Sequence, residues 1–233
     1  ALSLSGRRVL VTGATGFIGA ALTKRLIRAG ADVHVLVRAS SSAERLGSAW
    51  SRVTRHIGDI GEDKSLAAAV RAAKPEFVFH LAKERVGSTY AREAAATVRF
   101  AEVLRDHAPQ LKRWIRTAHD APSRDDDAAL VHRIVGLALP VVTLELYLVY
   151  GPGQVQGDFP RSIKDGERPE RLSGAVKDFV WIDDVVSAYL LAALAADVEG
   201  LTIPIGTGQG RTEAAAASIL LRLMGSSDAP PEP

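Results

Sequence analysis

The stretch RTAHDAPSRDDDAALVHRIV, residues 116–135, contains side chains that can carry protons or bind metal ions. His119 has the side chain whose charge changes nearest to neutral pH, and Asp120 follows it directly and could orient its ring. The three aspartates at 125–127 are typical of a solvated helix start, where negative charge is favourable. Three consecutive carboxylates on a helix cannot all face one ion, so we predict no metal site. His119 is therefore a candidate proton donor; the alternative is a histidine that only hydrogen-bonds a ligand.

A glycine-rich turn near the start of the chain has the spacing that binds a diphosphate. An apolar run at 9–11 predicts a strand, a helical pattern covers 20–29, and a second buried strand follows at 33–37. Glycines between such a strand and helix allow a tight turn, close approach of the backbone to a diphosphate, and close helix packing. The turn reads GATGFIG, with glycines at positions 13, 16 and 19. The N–H groups at the helix start then point at the phosphates, so the sequence predicts a dinucleotide cradle.

The residue at the end of the second strand indicates which dinucleotide binds. A carboxylate there holds the ribose hydroxyls of NAD, whereas an arginine accommodates the extra phosphate of NADP. This chain has Arg38 at that position, and Ser40 and the two serines after it could donate further hydrogen bonds. Asp32 precedes the strand and is badly placed for the ribose. We therefore predict NADP(H) rather than NAD(H); the alternative is that Arg38 is only a solvated strand-end charge.

Strand and helix patterns alternate along the 233 residues, which predicts an α/β fold with a doubly wound parallel sheet of the Rossmann type. We assign 1–150 to the NADP-binding domain and 151–233 to a small substrate-binding lobe, with about 176–206 returning to the main sheet. Helices are further expected at 66–73, 90–107, 131–139, 183–196 and 212–224, the last capped by Thr212.

Composition excludes several functional classes. Hydrophobic residues make up 47% and charged residues 24%, as in ordinary globular proteins, and the net charge is only +2. Since there is no Lys/Arg block, we expect no nucleic-acid surface. The absence of cysteine excludes disulfides, thiolate metal sites and a cysteine nucleophile. We find neither a signal-peptide pattern nor an apolar run that would span a membrane, so we expect a cytoplasmic protein.

A series of motifs resembles the extended, epimerase/dehydratase-like branch of the short-chain dehydrogenase/reductase superfamily. GATGFIG resembles its glycine turn, HIGDI (56–60) its adenine-contacting segment, and FVFHLA (77–82) the strand beside the adenosine ribose. LVYGPGQ, KDFVWIDDVV and TIPIGTGQGRT resemble later motifs of the family. The resemblance implies an NAD(P)-dependent enzyme on a Rossmann fold. Together with Arg38 and Ser40, the expected cofactor contacts are Gly13, Thr15, Gly16, Phe17, Ile18, Asp59, Ile60, Leu81, Ala82, Lys83, Thr117 and Tyr150.

The resemblance also implies a catalytic Ser or Thr, a Tyr and a Lys, because the alkoxide formed by hydride transfer must be protonated or stabilised. Thr117, Ala118 and His119 occupy the serine region, whereas the segment that should carry Tyr and Lys reads PSRDDDAAL. Tyr90 is more typical of a residue that packs its helix than of a catalytic residue. Lys83 could reach the cofactor, but it is at least as typical of an exposed loop. The segment before this helix is also shorter than in the family, either because the loop is reduced or because residues are missing.

Three functions fit this pattern. The first is an NADPH-dependent ketoreductase of an aromatic polyketide or quinone, as used in antibiotic biosynthesis. It can lack the Tyr–Lys pair because a substrate phenol hydrogen-bonded to the ketone can supply the proton. The second is a non-catalytic NADP(H)-binding sensor, which needs no pair. The third is a nucleotide-sugar epimerase or dehydratase, the usual activity of the branch.

The expected partner is a small, planar aromatic molecule. Phe159 and Trp181 could stack on it, with His119 and Gly151 beside it and Arg161 as a further contact. The alternative for each aromatic side chain is ordinary packing of the lobe. We expect a monomer or a homodimer.

Overall fold

The computed structural model describes residues 3–82, 90–118, 124–154 and 175–224, without the side chains of 124–128. The chain divides into two compact units. The first unit comprises Ala1–Glu145 and Val186–Ile203, and the second comprises Leu146–Val185 and Pro204–Pro233. The first unit therefore ends slightly before residue 150, and a later segment of the chain returns to it.

The described residues contain a seven-stranded sheet. Its strands are β1 (Arg8–Thr12), β2 (Asp32–Val37), β3 (Thr54–Ile57), β4 (Phe77–His80), β5 (Arg113–Ala118), β6 (Val141–Leu146) and β9 (Thr202–Ile205). They are arranged in the order β3-β2-β1-β4-β5-β6-β9, and all pairings from β3 to β6 are parallel. The strand order reverses between β1 and β4, and in open α/β sheets ligands bind outside the carboxyl ends of the strands at such a reversal.

Helices connect these strands. They are α1 (Phe17–Arg28), α2 (Asp63–Ala73), α3 (Tyr90–His107), α4 (Arg124–Val135) and α5 (Ile182–Leu194), with a short 3-10 helix at Gly47–Arg52. Leu10, Val78 and Trp114 lie in register on one face of the sheet and belong to a core that includes residues of α2, α3 and α4. The helix expected at 131–139 is wrong in its bounds. It begins at Arg124, so that the acidic run lies inside it, and it ends before Ala138, whose φ of +56° no α-helix allows.

The second unit has a smaller sheet of three described strands. They are β7 (Leu148–Tyr150), β8 (Val176–Trp181) and β10 (Gly210–Thr212), and a last helix, α6, spans Glu213–Leu223. The central strand β8 pairs parallel with β7 and antiparallel with β10. Thr212 caps α6 as expected, because its hydroxyl accepts a hydrogen bond from the N–H of Ala215 at 3.1 Å.

The Rossmann-type α/β fold expected from the sequence is confirmed. Within the described parts of the chain, no helix is both long enough and apolar enough to cross a membrane. The same residues contain no group of three His, Asp or Glu side chains that could share a metal ion.

Candidate dinucleotide-binding site

The glycine turn between β1 and α1 is packed too closely for side chains. Gly13 has a φ of +75°, and a Cβ there would lie 2.7 Å from the carbonyl carbon of Leu81. A Cβ on Gly19 would lie 2.0 Å from the carbonyl oxygen of Gly13, far inside van der Waals contact. Gly16 precedes α1 without a side-chain cap, and the first turn contains no acidic residue. The first N–H groups of α1 therefore remain free to donate to an anion such as a diphosphate.

The residues around this turn are only partly covered. Thr15, Phe17 and Ile18 on one side, and Leu81 and Ala82 on the other, are half-buried. A ligand can therefore reach the turn from the carboxyl edge of the sheet, as the sequence predicted for a dinucleotide.

The end of β4 is fixed to the end of β1. Thr12 and His80 are register partners, and the Thr12 hydroxyl oxygen lies 2.7 Å from Nδ1 of His80. The same oxygen accepts a hydrogen bond from the N–H of Ala82 at 3.3 Å. Because Gly13 packs against the backbone of Ala82, these hydrogen bonds hold the end of β4 in place beside the glycine turn.

His80 is a neutral residue in this arrangement. Burial and, to a smaller extent, the positive charge of Arg116 on the neighbouring strand together lower its pKa to about 3. A neutral ring can accept the Thr12 proton at Nδ1, the tautomer that we assign because Thr12 already accepts from Ala82. Sequence reasoning did not single out His80 or Arg116. The available signal was a charged residue between apolar neighbours in the middle of the strand RWIRTA.

Thr117, the candidate for orienting a substrate carbonyl, has its hydroxyl group in the core. The hydroxyl donates to the carbonyl oxygen of His80 at 3.2 Å and lies 2.5 Å from the phenol oxygen of Tyr189. Burial raises the pKa of Tyr189, which is fully buried and therefore protonated. A contact of the Thr117 backbone with the cofactor stays a prediction, whereas its hydroxyl is already engaged. Ala118 follows at the end of β5 and is half-buried.

The carboxyl ends of β2 and β3 carry the residues expected at the adenosine half of the cofactor. Arg38 and Ser40 are exposed, and the backbone N–H of Arg38 donates to the hydroxyl of Ser41 at 3.1 Å. The Asp59 carboxylate accepts the N–H of Gly61 at 2.9 Å, as in a turn, and Ile60 is buried. The guanidinium of Arg38 is thus on the surface where the sequence expects the 2′-phosphate.

A cavity of about 20 Å³ with both polar and apolar lining lies within the first unit. Its lining combines residues of β4 and β5 with residues of α3 and α4: Ile60, His80, Ala82, Tyr90, Glu93, Ala94, Ala96, Thr97, Arg116, Thr117 and Leu130. Ile60, Ala82 and Thr117 are expected cofactor contacts, so the structure brings these to one cavity with Arg116. Tyr90, expected only to pack its helix, lines this cavity as well.

The second unit holds two of the expected site residues, Tyr150 and Trp181, in one aromatic group. The ring of Tyr150 meets the ring of Trp181 edge-on at 5.3 Å and that of Phe179 at 6.4 Å. Trp181 is 37% exposed, enough to offer a stacking surface. Gly151 follows with a φ of +151°, and a Cβ there would lie 2.5 Å from a methyl carbon of Ile182.

Several candidate residues lie outside the described part of the chain. They are Lys83, His119, Asp120, Phe159 and Arg161, together with the side chains of the acidic run at 125–127. Their roles stay as the sequence predicts them.

The fold is of the Rossmann type, in which a glycine turn at this position binds the diphosphate of a dinucleotide. Residues 9–116 match the model of the NAD dependent epimerase/dehydratase family. A UDP-glucose 4-epimerase of Mycolicibacterium smegmatis is 28% identical over 274 aligned residues, which cover 97% of this chain and 84% of the relative.

Solved structures share the fold. The Bordetella bronchiseptica enzyme WbmG, in complex with NAD and UDP, superposes with a TM-score of 0.80 at 22% identity and covers 98% of this chain and 82% of its own. A UDP-glucose 4-epimerase of Thermotoga maritima with UDP-glucose gives a TM-score of 0.74 at 24% identity, covering 97% and 84%. The sequence likeness to the NAD dependent epimerase/dehydratase family thus covers residues 9–116, and the likeness of fold to the solved structures extends over nearly the whole chain.

Proposed function

We propose that the protein is an NADPH-dependent ketoreductase that reduces a carbonyl group of a planar aromatic substrate, of the aromatic polyketide or quinone type. One combination carries this proposal. The glycine turn is packed too closely for side chains, as close approach of a diphosphate to the backbone requires. By contrast, the Thr117 hydroxyl at the end of β5 is already hydrogen-bonded within the core. The sequence of α4, RDDDAALVHRIV, supplies neither the tyrosine nor the lysine of a protein-borne acid.

In this proposal the residues of the chain bind and orient the cofactor. The glycine turn and the start of α1 hold the diphosphate, and Arg38 pairs with the 2′-phosphate that distinguishes NADPH from NADH. When bound, the reduced cofactor supplies a hydride to the carbonyl carbon. The oxygen then needs a proton, which a neighbouring phenol of the substrate passes across a hydrogen bond of about 2.6 Å. Water returns a proton to the phenolate.

A nucleotide-sugar epimerase is the second candidate, because the relative from Mycolicibacterium smegmatis is a UDP-glucose 4-epimerase. Proton transfer at a sugar hydroxyl requires an acid–base group from the protein, since the sugar offers no phenol of its own. The composition of α4 argues against this candidate.

The test is oxidation of NADPH and NADH by the purified protein with two matched aromatic ketones. One ketone carries a phenol hydrogen-bonded to the carbonyl, and the other is its methyl ether. We expect turnover of the phenol with NADPH and little or none of the ether. Arg38→Ser should weaken NADPH binding roughly tenfold to a hundredfold while leaving NADH binding unchanged, because only the extra phosphate loses its partner.

Each contrary result would indicate either another function or another source of the proton. Conversion of UDP-glucose to UDP-galactose, without reduction of either ketone, would establish the epimerase. Tight NADPH binding without any turnover would favour the redox sensor. Reduction of both ketones would show that the protein has its own proton donor.

A further inference from the structure

Trp181 is a large aromatic side chain at the end of strand β8, and 37% of it is exposed. Partial exposure alone indicates no function, because tryptophan is seldom fully buried and single exposed apolar residues are common. What matters is whether such a ring is free to turn or is held in one place. A held ring offers a ligand a surface that is already in position.

Neighbours in the second unit hold the indole at both of its ends. The N–H of its five-membered ring donates to the carboxylate of Asp183 at 3.2 Å. At the far end of the indole, atom Cζ3 lies beside the backbone of Gly151, where a Cβ would be only 3.5 Å away. Tyr150, the register partner of Trp181 on β7, meets the indole edge-on with the ring centroids 5.3 Å apart. The indole is therefore fixed in one orientation while part of its surface meets solvent.

Tyr150 is supported in turn by the same face of the small sheet. Tyr150 and Trp181 are partners in the parallel pairing of β7 and β8, and two residues earlier Leu148 and Phe179 are partners. Because side chains alternate along a strand, both pairs lie on one face. The ring of Phe179 meets that of Tyr150 edge-on with centroids 6.4 Å apart. This packing keeps Tyr150 against the indole.

A fixed aromatic surface favours the binding of a flat ring. When a ligand binds to a mobile side chain, conformational entropy is lost because that side chain becomes ordered. Trp181 has already lost this freedom in the folded protein, through its contacts with Asp183 and Gly151. An aromatic ring of a ligand can then stack on the exposed part of the indole, in the offset arrangement that aromatic pairs prefer.

The position of Asp183 at the start of α5 does not by itself explain its hydrogen bond to the indole. Negative charge is favourable in the first turn of a helix, and both Asp183 and Asp184 lie there with exposed side chains. The indole N–H, however, donates to Asp183. Asp184 shares the position at the helix start and is therefore the matched control for the contact with Trp181.

We propose that Trp181 is a prepositioned stacking surface for one flat ring of the substrate, and that Asp183 is the residue that positions it. The inference rests on the proposed function, in which this ring belongs to an aromatic ketone. A nucleobase presents the same kind of flat face, so the experiment includes one compound of each kind.

The experiment measures binding to the full chain in the presence of NADP+, which cannot reduce a ketone. The probes are an uncharged hydroxymethyl-anthraquinone and uridine diphosphate, and equilibrium dialysis gives their affinities. In parallel, NMR spectra of isotope-labelled protein show one indole N–H signal for each of the three tryptophans, and Trp181→Phe assigns the signal of Trp181. The rate at which this indole proton exchanges with water reports its hydrogen bond to Asp183. The affinity for NADP+ reports whether each variant has folded.

We expect the anthraquinone to bind to the wild type and to shift the indole signal of Trp181. Trp181→Leu removes the ring and should weaken this binding roughly fivefold to a hundredfold. Asp183→Ala removes the acceptor, so the indole proton should exchange faster and the affinity should fall roughly twofold to tenfold as the ring becomes mobile. Asp183→Asn keeps an oxygen that can accept from the indole, and it should restore both quantities. Asp184→Ala should change neither.

Unchanged anthraquinone affinity in Trp181→Leu overturns the stacking surface, and so does binding that leaves the signal of Trp181 in place. Loss of affinity in Asp183→Ala without faster exchange of the indole proton overturns the positioning role of Asp183. An equal loss in Asp184→Ala does the same, because it would indicate an effect of the helix start alone.

The same data separate this inference from the proposed function. If uridine diphosphate binds and shifts the Trp181 signal while the anthraquinone does not, the stacking surface stands and the ketoreductase is overturned. If the wild type reduces the phenol ketone with NADPH and Trp181→Leu does so with an unchanged KM, the ketoreductase stands and the stacking surface is overturned. If neither probe binds to the wild type, the inference falls whatever the reduction assay shows.

Discussion

At the scale of single residues, Gly19 is the glycine of the turn that tolerates an added side chain least. A Cβ there would collide with the carbonyl oxygen of Gly13, a backbone atom that cannot move without opening the turn. We expect Gly19→Ala to lower the free energy of unfolding by about 1–3 kcal/mol, as overpacking does, and to weaken NADPH binding at least as strongly. Urea unfolding and fluorescence titration with NADPH measure the two effects.

Gly47 is the matched control. Its φ is +54°, yet a Cβ there would meet no atom within 4 Å. Gly47→Ala should therefore cost only the backbone strain, about 1–2 kcal/mol, with unchanged NADPH affinity. If Gly19→Ala binds NADPH as well as Gly47→Ala does, the turn is not the diphosphate site.

The residues of the site differ in how far the sequence could predict them. The glycine turn was predictable because the steric clash between positions 19 and 13 involves residues close in sequence, whereas the packing of Gly13 against Leu81 was not. The engagement of Thr117 was not, because Tyr189 lies 72 residues further along the chain and only the fold brings the two hydroxyls together. The same holds for Arg116 and Tyr90, which share a cavity although they belong to different elements.

At the scale of elements, Asp178 fastens the turn after β9 to strand β8. Its carboxylate accepts the N–H groups of Thr207 at 3.0 Å and Gly208 at 2.7 Å, and also the Thr207 hydroxyl. Burial raises the pKa of Asp178, but these hydrogen bonds outweigh it and lower the pKa overall. The carboxylate is therefore ionised and bonded at neutral pH.

We expect Asp178→Ala to lower the free energy of unfolding by about 1–3 kcal/mol, because three hydrogen bonds to a charged group are lost. Amide hydrogen exchange at Thr207 and Gly208 should accelerate, which mass spectrometry can follow. Asp184→Ala, an exposed neighbour, is the control and should change neither quantity. Unchanged exchange in Asp178→Ala would show that other contacts hold this turn.

Element bounds follow from sequence where local signals are strong. The helix expected at 90–107 is found at Tyr90–His107, and the Thr212 cap lies where its residue type suggests. The acidic run at 125–127 lies at the start of α4, as its residue types predict, whereas the helix bounds of 131–139 are too late because the apolar face of this segment is weakly patterned. Strand order, and hence which strand ends meet at the switch point, depends on contacts between distant segments.

At the scale of the whole molecule, stability in acid depends on the neutral histidine at the centre of the sheet. Burial, aided by Arg116, lowers the pKa of His80 to about 3 in the folded protein, whereas an unfolded chain has the ordinary value of 6.5. Between these values the unfolded state binds a proton that the folded state excludes. The contribution of His80 is therefore complete above pH 6.5 and declines as the pH falls towards 3.

One histidine of this kind changes the free energy of unfolding by about 1.4 kcal/mol per pH unit within that window. His80→Asn removes the titration but keeps an oxygen that can accept the Thr12 proton. We expect it to cost some stability at pH 7 and to flatten the decline of stability between pH 6 and 4, measured by urea unfolding at each pH. His132→Asn, on the surface of α4, should leave the slope unchanged. An equally steep acid slope in His80→Asn and wild type would mean that His80 accepts a proton in the folded protein.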